Sequence, residues 1–213
     1  MATALGSEAS RADDLNAVRS MAEICAAGPT SLDETRTALV ESGWTNADVK
    51  VALAALTSGF FAFQFNPSDV GYSMFNAIFL AGSALGNSAL GPNQLGLTAG
   101  DVSLGVYGIE EGKPYCVVTG PTWVFDSLTD GDTDIAGKAS PGFLRIREGS
   151  IGQGSYVAAL MDLSAVAALD PTKGAAADAG FPVTRADFDL FLASLGEATV
   201  HINSQAALQE LTP

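Results

Sequence analysis

The amino-acid sequence predicts an α+β fold, with an N-terminal helical layer packed on an antiparallel sheet and a C-terminal helix completing the core. Three observations point there. Apolar residues in the first part of the chain recur at the three-four spacing of a helix face. Beyond about residue 100 the spacing falls to two, the period of a strand, and after Thr184 it returns to three and four. Helices, then strands, then a helix, without regular strand–helix alternation, fit α+β rather than βαβ units. All 213 residues read as one domain, with a helical part over about 12–90 and a sheet-rich part over about 100–213.

The helices are clearly punctuated. Leu15, Val18, Ala22 and Cys25 share one face, and Gly28-Pro29 ends that helix. Ser31 starts the next, with Glu34 in the capping-box position, and Leu32, Thr35 and Leu39 on its inner face. Gly43 fits the left-handed position beyond the helix end, so that Trp44 can fold back onto Leu39. Thr45 and Asp48 form a second capping pair ahead of an apolar stripe of Val49, Leu53, Leu56, Phe60 and Phe63, which Asn66-Pro67 closes. A further helix is expected over about Ser73–Leu85. The glycine-rich run "NSALGPNQLGLTAGD" then reads as a loop.

In the sheet-rich part Val102, Leu104 and Val106 alternate with smaller or polar residues. Pro114–Thr119 returns as a second strand after the turn "EEGK". "GFLRIREG" and "SYVAALMDL" make another hairpin across "GSIGQG", whose glycines suit a mobile loop. "TWVFDSLTDGDTDIAGKASPG" is open between a strand with a long loop and a short helix. Thr184 and Asp187 cap a last helix with Phe188, Phe191, Leu192 and Leu195 on one face. Val183 and Phe188 are placed as its hydrophobic staple, and Gly196 ends it before the strand "ATVHIN".

Composition excludes several functions. Hydrophobic residues make up 47% and charged residues 16%, outside the range of disordered chains. The net charge is -14 and the ten basic residues are scattered, so neither nucleic acid nor an acidic membrane surface is an expected partner. Val51–Phe65 and Met74–Gly86 are apolar but fall short of the roughly 20 residues a bilayer requires, so no stable membrane span is expected. Gly82 and Gly86 have GxxxG spacing, which in so short a run fits close helix packing. The first residues, "MATALGSEASRADD", lack the basic start and apolar centre of a signal peptide, although Ala2–Ala4 has the small-x-small form of a cleavage site.

Candidate chemistry is sparse. Cys25 and Cys116 are the two cysteines, one in each structural part. Two inert buried thiols and a bridge are both open readings. Redox catalysis is disfavoured without a CxxC pair. A bridge closing so long a loop would contribute on the order of 4 kcal/mol and requires an oxidising compartment.

A helix carrying Cys25, a second ending in Gly43-Trp44, an apolar third helix and the strand "GKPYCVV" together resemble a group of small uncharacterised exported bacterial proteins. The likeness spans about Leu15–Gly120. It implies a bridged pair outside the cytoplasm, in the periplasm or secreted, and implies no catalytic residues. Without the bridge, a cytoplasmic location would be expected.

Asp130, Asp132 and Asp134 alternate as in an EF-hand loop. The sixth and twelfth positions are Ile135 and Pro141, so a solvated turn is expected and calcium is not. His201 is the one histidine, which rules out two-histidine metal sites, and no serine sits in a G-x-S-x-G elbow. "GSIGQGSY" lacks the following helix that phosphate cradling needs. No cofactor or metal is expected.

These residues favour a non-catalytic exported protein that binds an unidentified protein or small molecule. One alternative is a hydrolase-type enzyme using His201 or scattered carboxylates. Another is a carrier of an apolar ligand, with a pocket lined by Phe60, Phe63, Phe75 and Phe79.

Overall fold

A computed structural model of the chain describes residues 4–29, 31–64, 94–108, 115–129, 142–169 and 184–202. Its helices are α1 (Ala4–Ala27), α2 (Leu32–Glu41), α3 (Val49–Gln64), α4 (Thr122–Leu128), α5 (Leu163–Ala167) and α6 (Arg185–Ser194). Its strands are β1 (Thr45–Asn46), β2 (Gln94–Ala99), β3 (Val102–Tyr107), β4 (Tyr115–Gly120), β5 (Leu144–Ile151), β6 (Gly154–Met161) and β7 (Ala198–Ile202). The strands form one seven-stranded antiparallel sheet in the order β1-β2-β3-β4-β7-β6-β5. The class is α+β, with helices at the N-terminus and a capped helix near the C-terminus.

The N-terminal helices divide between the two faces of the sheet. α1, α2 and α4 cover one face, where Val18, Met21, Cys25, Leu39, Trp44, Leu97, Leu104, Val118 and Val200 share one core. α3 and α6 cover the other, where Phe61, Phe63, Phe143, Val157, Phe188 and Phe191 make a second core. Strands buried on both faces explain why β7 is apolar throughout except for Thr199 and His201.

Local signals act as the sequence predicts at several points. Ser31 Oγ accepts from the Glu34 amide at 3.2 Å. After α2, Gly43 takes φ 102°, the Trp44 amide donates to Leu39 O and the Gly43 amide to Val40 O, each at 3.1 Å. That is a Schellman stop. It drops Trp44 into the core, where its indole Nε1 donates to Ala17 O at 3.0 Å and ties α2 to α1. Thr184 and Asp187 form the full capping box of α6.

Four expectations are corrected. Thr45 does not cap α3. It lies in β1, opposite Thr98, and Asp48 takes the capping role by accepting from the Lys50 amide at 3.1 Å. The supposed loop "NSALGPNQLGLTAGD" contains β2. Leu95, Leu97 and Ala99 alternate inward, and Gly100, at φ 54°, opens a two-residue turn to β3. "GSIGQG" is mostly strand as well, because pairing runs to Ile151 and Gly154 and only Gly152-Gln153 turns. Helix α5 begins at Leu163, where the preceding strand was expected to end, because Asp162 caps it. The undecided segment after Pro121 is a helix, α4. The expected helix over 73–85, the turn "EEGK" and the Asn66-Pro67 stop lie outside the described residues.

Candidate functional site

The two cysteines meet. Cys25 lies in the last turns of α1 and Cys116 is the second residue of β4. Their Cα atoms are 6.1 Å apart and they form a disulfide. Each is 1% exposed, so the bridge is sealed between helix and sheet. It fastens the α1 layer to the sheet covalently.

The opposite face holds a buried polar centre. Small residues let α3 approach closely: Ala55, Ser58, Gly59 and Ala62 are buried along one side of the helix. Ser58 Oγ lies 2.9 Å from Thr199 Oγ1 and accepts from the Gly196 amide at 3.2 Å. Thr119 Oγ1 donates to Ala198 O at 2.9 Å and lies 3.3 Å from Thr199 Oγ1. Strand pairing lines up Thr45, Thr98, Ser103, Thr119 and Thr199 as one row across the sheet, running from an exposed edge to a dry centre. The hydroxyls of the buried end satisfy one another, as buried polar groups must.

His201 stands in the next row, opposite Val117 on β4 and Val157 on β6. Phe63 meets its ring edge-on, with centroids 4.6 Å apart. Gly59 lies so close that an added methyl would overlap the imidazole. Neither ring nitrogen has a hydrogen-bond partner. Burial without a counter-charge pushes its pKa down from 6.5 to about 3. The ring is therefore a neutral imidazole at physiological pH. Among the described residues no carboxylate or nucleophile lies within hydrogen-bond reach of either ring nitrogen.

At the far end of the same face Tyr107 and Tyr115 stack at 5.1 Å, and burial pushes both phenol pKa values up. Ionised tyrosine is thus disfavoured there.

The predicted residues separate as follows. Cys25 and Cys116 come together. Phe63 packs on His201, while Phe61 turns to Phe143 and Phe191. Phe75, Phe79, the Phe60 side chain and the aspartates Asp130, Asp132 and Asp134 lie outside the described residues. Among the described residues no three His, Cys, Asp or Glu side chains gather as a metal site, and no helix is long and apolar enough to cross a membrane.

Sequence reasoning missed Ser58, Thr119 and Thr199. The available signal was Thr119 at the end of the apolar run in "YCVVTG" and Thr199 beside His201 in "ATVHI". No protein-family model, curated protein or solved structure matches the chain.

Proposed function

We propose that this chain is an exported, non-catalytic binding protein of an oxidising compartment, akin to the small exported bacterial proteins it resembles. The observation that carries the reading is the sealed Cys25–Cys116 bridge between α1 and β4. Such bridges form and persist where thiols are not kept reduced. Support for binding over catalysis comes from His201, a neutral ring packed against Gly59 and Phe63 with no charged partner.

Two measurements test this. Protein recovered from the source cells' exported and cytosolic fractions is alkylated, with and without reductant, and weighed intact. Export predicts that the chain resists alkylation until it is reduced and that it concentrates in the exported fraction. Two freely alkylated thiols throughout would overturn export. A panel of ester, amide, glycoside and phosphate substrates should show no turnover, and turnover abolished by His201→Ala would overturn the non-catalytic assignment.

A further inference from the structure

A charge placed in a dry interface must find a partner, neutralise, or bring in water. His201 is the chain's one histidine, and β7 holds it between β4 and β6 beneath α3. Its surroundings are Val117 and Val157 across the strands, Thr199 along β7, and Gly59 and Phe63 from α3. None of these is charged. Of the described titratable groups on this face, Tyr107 and Tyr115 are neutral phenols in acid, and Lys50 on α3 and Arg185, Asp187 and Asp189 on α6 are exposed. Glu148 stands one strand beyond Val157 in the same row, with its side chain exposed. Both ring nitrogens are buried, and Gly59 lies directly against Nε2, so parting of helix and sheet would admit water to the ring.

The two faces are also held unequally. α1 is bridged to β4. The chain's only two cysteines are used there, so no disulfide holds α3. α3 packs on β2, β3, β4 and β7 through small residues, the hydroxyl cluster of Ser58, Thr119 and Thr199, and Phe63 against His201. The apolar clusters on this face are smaller than the core under α1, so less apolar burial opposes its opening.

We propose that α3 is an acid-released element: protonation of His201 separates α3 from the sheet while the α1 face, pinned by its disulfide, stays folded. The sign follows from the two protonation states. In the closed form His201 binds a proton only near pH 3, whereas freed from the sheet it binds from about pH 6.5 downward. The closed form is therefore at full stability above pH 6.5 and loses it as the pH falls toward 3. One proton taken up on opening makes the opening constant rise about tenfold per pH unit.

Peptide-resolved hydrogen exchange across pH 7 to 3.5, corrected for intrinsic rates, tests this on the oxidised full chain. The expected result is an opening constant for α3 that rises about tenfold per unit below pH 6. Amides of α1 and β2–β4 should remain protected, and in His201→Leu the α3 slope should flatten. A slope that persists in His201→Leu overturns the proposal. So does an equal slope and size of opening in α1, which would mean global unfolding.

Should His201→Leu fail to fold, the unaltered protein still decides by NMR. As the only histidine, its Cε1–H signal assigns itself. It should stay at the neutral position while a separate protonated signal grows in acid together with loss of α3 protection. A single signal that shifts smoothly with a midpoint near pH 6.5 overturns the proposal.

Discussion

Reducing the Cys25–Cys116 bridge is the most direct perturbation of this fold. The bridge closes a loop with a sequence separation of 91. In the chain-entropy relation a loop of that length restricts the unfolded chain by about 4–5 kcal/mol at 25 °C. On reduction the two sulfurs part to van der Waals separation but stay in the same buried site, so the entropic term dominates. A chain of this size loses roughly 2–4 °C of melting temperature per kcal/mol, so the reduced protein should melt roughly 8–20 °C below the oxidised one. Calorimetry or circular dichroism with and without a phosphine reductant, thiol state confirmed by intact mass, makes the measurement. Urea midpoints should fall in parallel. If fully reduced protein melts within about 3 °C of the oxidised form, the loop-closure account of the bridge is wrong.

Gly43→Ala should destabilise by about 1 kcal/mol in urea titrations, because φ 102° disfavours a Cβ while the nearest atom, Ala17 Cβ, would be 4.0 Å away; the cost is conformational and not steric. Gly59→Ala should cost more, about 1–3 kcal/mol, because the methyl would strike the His201 ring. Gly152→Ala, with φ 57° and nothing within 4 Å, is the control that separates backbone strain from crowding, and equal losses at Gly59 and Gly152 would refute the packing of α3 on His201. Asp162 accepts from the Ser164 and Ala165 amides and the Ser164 hydroxyl, and the Ser164 side-chain bond leads in holding its pKa below 3.8. Its contribution is thus present above pH 3.8 and lost as the pH falls through the lowered value, so the stability gap between wild type and Asp162→Asn should narrow in acid.

What the sequence displayed was whatever is decided within a few residues. The capping box at Thr184 and Asp187, the Schellman stop at Gly43-Trp44 and the alternation in β3 depend on backbone chemistry local to each segment. β2 escaped because "QLGLTA" places Gly96 and Thr98 on the face α3 covers, and small residues between glycine-rich flanks read as loop. The apolar stripe of α3 drew attention to large side chains. The face that Ser58 places against the sheet also carries Ala55, Gly59 and Ala62, whose value lies in being small, beside the one large ring of Phe63 on His201. The polar centre was least visible. Thr119 and Thr199 are 80 residues apart and become neighbours only because β7 inserts beside β4, a pairing that no periodicity announces.

That insertion also explains why the two faces differ. β1–β4 form a meander of neighbours in sequence, and β5–β6 form a hairpin. β7 joins them, although it is the last strand in the chain. Cys25 lies in α1 and Cys116 in β4, so the bridge ties α1 to the meander half of the sheet, and β7 carries neither cysteine. Everything polar beneath α3 is different. Thr199 and His201 are carried by β7 itself, and Ser58 and Thr119 find their partners there. A covalent lock on one face and an uncharged histidine on the other stand on neighbouring strands, β4 and β7. The first ties α1 covalently to β4. The second leaves the α3 interface dependent on one imidazole remaining neutral.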